Sequence, residues 1–463
     1  MPKTLAVLQT IGRFIVADSQ GRHPAPPLPP PPPAPSPPPL PPPSPPAPGH
    51  HPVPPLPPPL SPPLKPLLRI EWQLLPWLPM GVEDNDGGWI DADTLVTAFG
   101  LSQRGPCVST AYAINVSEPA PQWRELPSCP GAPRQEEAGS IVNGKLWYGG
   151  GFQAGGHCGP KKSTTLDDMW TLSHTRDDWV WEPQPGARLP FPICCFALAT
   201  IGDKLYLFGG SFDEGQDKPP NVHAMLHVLD TNNIIAGWKR LPDCPGTGGG
   251  GILAPAGGKL HVMGAIDSWR YDPTATTWSR LADNPLPNLA KTNGNTVFMD
   301  RYIVLVGGAA NFNVTSVDGK QHPYPARPMR IEDGTCNITA CSDPSKEGIN
   351  YWYGINAAIH SWLNPFVKLK SVIVNRGYDN AVLVFDVKLN HWGTIEAVSE
   401  DPELLGPHGE CGPFPSNVAL PQVSVRGDRI AVVGGEADER VIHGHKYSHD
   451  SDMAVVGTMT ALQ

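Results

Sequence analysis

LATIGDKLYLFGG, Leu198 to Gly210, is followed by MLHVLD at Met225–Asp230 and by GWKRLP at Gly237–Pro242. Two apolar runs meet at a Gly-Asp turn, the second closes on a glycine pair, and a third and a fourth run follow, the last opened by tryptophan. The pattern is four short strands, a to d, with hairpin turn chemistry between the first two. The chain repeats this unit. Its tryptophans are Trp72, Trp123, Trp181, Trp238, Trp278 and Trp392, and the doublets or worn doublets begin at Phe99, Gly149, Gly209, Gly264, Gly307 and Gly434. From tryptophan to the next doublet is 26 residues for Trp123, 28 for Trp181, 26 for Trp238 and 29 for Trp278. One four-stranded sheet cannot bury both of its faces, so a repeat of roughly 40–50 residues made only of strands calls for sheets stacked around a ring.

The two ends sharpen this expectation. EWQLLPWLP, Glu71 to Pro79, reads as a strand d with no strand c before it, and SDMAVVGTM near the end reads as a strand c with no strand d after it. Together they complete one unit, predicting a ring of six blades sealed by the N-terminal strand pairing with C-terminal strands a, b and c. That arrangement removes exposed sheet edges. The expected fold is thus all-β, a six-bladed propeller over residues 69–463 carrying a long insert at 309–379.

The glycine doublets and aromatic strands resemble the Kelch repeat, in which paired glycines close strand b and aromatic residues fill the wedge between blades. The split-blade order, the opening W-x-x-L-P-x-L-P at Trp72–Pro79, the GGE at Gly434–Glu436 and a histidine-bearing loop near the end are similar to the cyclically permuted mutarotase group that includes bacterial sialate epimerases. That resemblance implies interconversion of sugar anomers with an acid, a base and no cofactor. It does not carry that group's catalytic residues onto positions here. Galactose oxidase shares the fold, but no tyrosine, cysteine and histidine set for its copper can be placed by motif.

Residues 1–22 hold a weakly apolar stretch interrupted by Gln9 and Arg13, a poor secretory leader, so a targeting role stays open and the compartment is unassigned. Residues 23–66 are proline-rich and read as an extended polyproline II spacer. Two alternatives stand beside the spacer: PxxP docking on an SH3- or WW-type partner, and a stalk like those of hydroxyproline-rich wall glycoproteins. A formal charge of −10 opposes binding to a nucleic-acid backbone. No apolar run is long enough to span a bilayer, against an integral membrane protein. The nine cysteines include no C-x-x-C zinc pair, and Cys336 with Cys341 could bridge a loop.

Because strands alternate in direction, the b–c and d–a connections emerge together. The long inserts 152–167, 211–221, 309–379, 397–417 and 436–451 all fall there, whereas the a–b turns VNGK, IGDK, AGGK, MDR and RGDR are tight and look structural. The long-loop rim is therefore the expected binding surface for a protein or a carbohydrate. Its candidate binding residues are Arg134, Glu136, Glu137, Arg188, Asp213, Glu214, Lys291, Glu436, Arg440 and His443, with His157 beside them. HGHKYSH offers His443, His445 and His449 as a weak metal set on a segment read as irregular. For any single one of these charges, a solvated loop position is the first reading. Two functions remain: a binding or interaction scaffold, placed first because no catalytic motif emerges, and a cofactor-free sugar mutarotase or epimerase.

Overall fold

The computed structural model describes residues 64–463 except 103–105, 154–157, 159–162, 176–177, 212–221, 247–251, 264–267, 283–294, 308–311, 317–320, 324–368, 375–381, 406–413, 416–417 and 420. The N-terminal segment 1–22, the proline-rich residues up to 63, Cys336, Cys341 and most of the insert 309–379 lie outside the described residues. Strands dominate, and the one α-helix among the described residues is the single turn Pro402–Leu405. No helix is long and apolar enough to cross a membrane.

The first sheet holds Asp86–Trp89, Thr94–Ala98, Ala111–Asn115 and Arg124–Leu126 as strands a to d. The second holds Ala138–Val142, Lys145–Gly149, Met169–His174 and Trp179–Pro183. Ala197–Ile201, Lys204–Phe208, Leu226–Asp230 and Lys239–Leu241 form the third, and Ile252–Ala256, Lys259–Met263, Ser268–Asp272 and Thr277–Arg280 the fourth. An eight-stranded sheet supplies two further four-stranded units. Half of it is Val297–Phe298, Tyr302–Val306, Val382–Asp386 and His391–Val398. The other half is Pro66–Leu74, Ala454–Ala461, Arg429–Val433 and Gln422–Arg426.

The N-terminal strand joins the two halves. It pairs antiparallel with Ala454–Ala461, placing Trp72 opposite Gly457, and parallel with His391–Val398. A Cβ at Gly457 would meet Ile70 at 2.5 Å and Trp72 at 2.9 Å, so only glycine lets this strand close down on its partner. The strand begins earlier than the sequence indicates, at Pro66 rather than Glu71. Main-chain bonds run on beyond it, from Leu75 to Ala454 and from Leu78 to Asp452, with the donor-less Pro76 between them.

Apolar clusters sit between sheets. One packs Val142 and Trp147 of the second sheet against Leu198, Leu205 and Leu207 of the third; another packs Tyr206 and Phe208 of the third against Leu253, Leu260 and Tyr271 of the fourth. The same holds for the fourth sheet against Ile303 and Phe385, and for Leu95 and Tyr112 of the first sheet against Ala431 and Val433. The a strands touch in cyclic order, from the first sheet through each in turn and back to it. The architecture is propeller-like.

The tryptophans that open each strand d have one common task. The indole N–H of Trp123 donates to Pro76 O at 2.7 Å, Trp181 to Pro127 O at 2.8 Å, Trp238 to Ala187 O at 2.9 Å, Trp278 to Pro242 O at 2.9 Å and Trp392 to Ala282 O at 3.0 Å. In every case the acceptor follows or flanks strand d of the preceding sheet. The doublets bond in the other direction: Gly100 N–H to Arg134 O, Gly151 N–H to Ile193 O and Gly435 N–H to Val82 O, each on the segment entering the next sheet. Phe99, Gly150, Gly209 and Gly434 share φ between 62° and 67°, and their followers lie between 95° and 112°. The second doublet is thus Gly150–Gly151 rather than Gly149–Gly150, since Gly149 still belongs to strand b.

The segment Glu436–Ile442 and His445–Asp450, expected to be irregular, is a hairpin turning on His443 and Gly444 with φ 50° and 74°. Val418–Ala419 adds a third strand to it. Within the insert, Phe312–Ser316 pairs with Gln321–Pro323 and with Leu369–Val374, so the stretch that breaks the repeat pattern forms a strand of a separate small sheet.

Two consequences are measurable. Trp181→Phe keeps the ring but strands the Pro127 carbonyl, so we expect a loss of about 1–3 kcal/mol in denaturant unfolding. Trp278→Phe, whose bond is exposed, should cost well under that; equal losses would show that the indole bond is not the source. Second, burial pushes His227 and His261 each from 6.5 down to about 4, helped at His227 by Arg240. Both rings are neutral in the fold and take up protons more readily once unfolded, near pH ~6.5. Their contribution is complete above that pH and is lost as pH falls toward 4, on the order of 2 kcal/mol for each ring. Urea midpoints of wild type and the His227→Gln, His261→Gln double variant at pH 7 and pH 4.5 should show a flatter dependence in the variant; parallel curves would contradict it.

Candidate functional site

Just ahead of strand a the chain adopts a left-handed turn at the same place in three successive sheets. Asp84, Glu136 and Cys195 have φ of 53°, 57° and 51°, and each lies two residues before its strand a at Asp86, Ala138 and Ala197. A non-glycine residue there costs on the order of 1–2 kcal/mol and persists only where its surroundings impose it. These turns belong to the d–a connections, so they stand on the long-loop rim.

Around them the structure buries a set of carboxylates. Glu83, Asp84, Asp86, Glu136 and Glu137 are all at most 1% exposed, as are Asn85, Arg134 and Gln135. Asp86 accepts from the amides of Gly87 and Gly139, tying the first sheet to the second. Asn85 Nδ2 donates to Thr97 Oγ1 at 2.8 Å and to Val433 O at 3.3 Å, while Gln422 Nε2 donates to Val96 O at 2.9 Å. Five buried acids share the rim with one buried guanidinium, so the field there favours protons and cations.

Arg134 is committed elsewhere. Its guanidinium forks onto Asp168, with the Nη2–Oδ2 bond at 2.9 Å, and also donates to Gly150 O and Ala132 O. Burial by itself would raise the Asp168 carboxyl, yet the hydrogen bond and charge of Arg134 hold it below the usual carboxylate range, with the Trp170 indole N–H donating at 2.7 Å. Tyr148 is stacked on Phe99 at 4.2 Å; burial first, and then Glu137, push its phenol well above the ordinary value.

The sequence candidates divide accordingly. Arg134, Glu136 and Glu137 come together, but as buried groups rather than solvated loop charges, and Arg134 is a structural clamp rather than a rim contact. Arg188 lies exposed, bonded to Asp167 at 2.6 and 2.7 Å. Asp213, Glu214, Lys291 and His157 lie outside the described residues. Glu436 and Arg440 stand in the hairpin at register positions opposite Asp450 and Tyr447. His443 bonds Asp401 at 2.7 Å, and its amide bonds Glu403 at 2.6 Å; these acids raise its pKa, Asp401 first. His445 bonds Asp452 at 2.8 Å and stacks on Trp77 at 4.1 Å. His443 and His445 are thus engaged by different carboxylates instead of converging, and His449 lies in the opposite end of the strand, paired with Ala437.

Three features escaped the sequence. Cys107 and Cys158 form a disulfide linking the b–c segments of the first two sheets. Asp168 is the buried clamp's acceptor. And a cavity of about 780 Å³ lies on the axis at the tight-turn end, lined by Trp89, Ile141, Leu198, Leu253, Phe298 and Ser424, one from each strand a region. That face carries more than hairpin turns. The acidic positions could have been found by aligning VEDND and RQEE at equal distance from strand a.

No family model matches the chain. It is similar to the N-acetylneuraminate epimerase of Haemophilus influenzae, 29% identical over 334 residues, which is 62% of this chain and 86% of the relative. It is also similar to the N-acetylneuraminate epimerase of Pasteurella multocida, 26% identical over 282 residues, covering 51% of this chain and 70% of the relative. Among solved structures, YjhT superposes with a TM-score of 0.51 at 15% identity, over 84% of this chain and 99% of that one. The chain resembles the sialate epimerase group in sequence and shares the fold of YjhT.

Proposed function

We propose that the chain is a closed six-bladed Kelch-type propeller that interconverts the anomers of a sugar acid related to N-acetylneuraminate, without a cofactor. The observation that carries this reading is the set of buried carboxylates gathered at in-phase left-handed turns on the long-loop rim, in a chain whose relatives include two epimerases. That observation supports catalysis over the scaffold reading.

The reaction needs little more than proton transfer. A carboxylic acid protonates the ring oxygen while a carboxylate removes the proton from the anomeric hydroxyl; the ring C–O bond opens to the free ketone, which recloses from its other face. Both groups end restored with protons exchanged, so the cycle balances with no redox step. Glu83, Asp84, Glu136 and Glu137 form the pool for these roles, as buried acids that two successive d–a connections bring to the same rim. Arg134, fully committed to Asp168, orients the rim instead of touching substrate.

Closure of the ring rests on Pro66–Leu74 supplying strand d to Arg429–Val433 and Ala454–Ala461. Deleting residues 452–463 should abolish cooperative unfolding near the parent midpoint, read by circular dichroism; an unchanged melt would refute closure. For the chemistry, NMR magnetisation exchange between the anomers of N-acetylneuraminate should be accelerated by protein. Glu83→Gln and Glu137→Gln should each lower the exchange rate by about 10²-fold or more. No acceleration at high protein concentration, for this sugar or common aldoses, would sink the enzyme reading.

A further inference from the structure

We propose that Glu136, Cys194 and Cys195 form a zinc-binding site at the rim. The two thiols and the carboxylate each present one donor atom, and these atoms lie within 4.8 Å of one another. Tetrahedral Zn²⁺ with Zn–S near ~2.3 Å and Zn–O near ~2.0 Å sets donors roughly 3.5–3.8 Å apart, so small side-chain rotations complete three corners of the tetrahedron. The donor set is two soft sulfurs and one oxygen, which favours zinc over magnesium or calcium.

The backbone already holds the three residues together. Cys195 N–H donates to Glu136 O at 2.9 Å, and Cys194 exchanges two main-chain bonds with Ser211, at 3.0 and 2.8 Å. Glu136 and Cys195 both occupy the left-handed position, and the Cys195 thiol donates to Glu136 Oε2 at 2.9 Å. Metal binding replaces that thiol proton, and the proton of Cys194, by Zn²⁺; two protons leave to the buffer and two Zn–S bonds form. Glu136 and Cys194 are buried, at 1% exposure each, whereas Cys195 is only partly covered, which gives an entry path and leaves the fourth corner for water. Cys129, by contrast, is pushed to about 11 by burial and stays a thiol. Sequence spacing could not show the site, because its donors come from two connections of different sheets. The site shares Glu136 with the acid pool of the sugar reaction, but its two thiol donors and its metal readout are separate from that reaction, so failure of one is distinguishable from failure of the other.

The test uses the full chain, stripped with chelator and kept reduced with a phosphine. Zn²⁺ is titrated against a chromophoric chelator, and Co²⁺ is added separately as a spectroscopic stand-in. One Zn²⁺ per chain and a thiolate-to-cobalt charge-transfer band are expected, with proton release on binding. Cys195→Ser and Cys194→Ser should each weaken binding by at least tenfold and diminish the band. Glu136→Gln should weaken binding by about tenfold while keeping it, and near-ultraviolet circular dichroism should stay at the parent spectrum. Absence of the band, or equal zinc affinity in the Cys194→Ser, Cys195→Ser double variant, would overturn the site.

Discussion

An indole N–H reaching from one sheet to a carbonyl of the sheet before it is the contact on which the rest depends. Trp123, Trp181, Trp238, Trp278 and Trp392 all make this bond, with acceptors 36 to 110 residues upstream. A main-chain carbonyl at the end of a strand would otherwise need water, and the wedge between twisted sheets has little room for it. The ring of the same tryptophan fills that wedge, as Trp181 does edge-on to Phe99 and Tyr148. One residue type therefore sets both the spacing and the relative rotation of neighbouring sheets. Tyrosine could supply the bulk, but its hydroxyl would sit at a different reach.

The doublets answer from the other side. Where strand b ends, the backbone must turn left-handed and lie against the incoming segment of the next sheet; a Cβ at Gly434 would come within 2.7 Å of Val82 O. Phe99 takes the first of these two conformations without being glycine, and its ring stacks on Tyr148 while the Arg134 guanidinium lies 5.5 Å above it. Packing there compensates for backbone strain. A worn doublet in sequence is thus a place where side-chain contacts have taken over a task that glycine performs elsewhere.

This explains how far the sequence could be read. The strands, their order and the partnership of Trp72 with the C-terminal strand follow from alternation and from six in-phase tryptophans, because each depends on local geometry repeated along the chain. The hairpin at Glu436–Asp450 was hidden by its polar composition: histidines, lysine and arginine replace the alternating apolar pattern, and only His443–Gly444 marks the turn. The rim was legible as a set of charges but not as a buried cluster. Glu136 and Glu137 look like solvent residues until the d–a segments of neighbouring sheets close over them, and Asp168 becomes a partner of Arg134 only through that closure. The Cys107–Cys158 bridge joins connections of two sheets and leaves no local trace.

The same closure accounts for why acids collect at this rim. In three d–a connections the chain reverses into strand a through a left-handed residue two positions before that strand. Glycine would serve there without strain, yet the chain uses aspartate, glutamate and cysteine at Asp84, Glu136 and Cys195. Geometry alone therefore does not select these residues; a backbone that favours glycine is being held in place by side chains with protons to give or lone pairs to offer. Three reversals in phase bring such groups from three sheets toward one region, and no single sheet could assemble them. A propeller built on indole contacts supplies the rigidity, and the reversal points gather buried acids and thiols at the strand entrances.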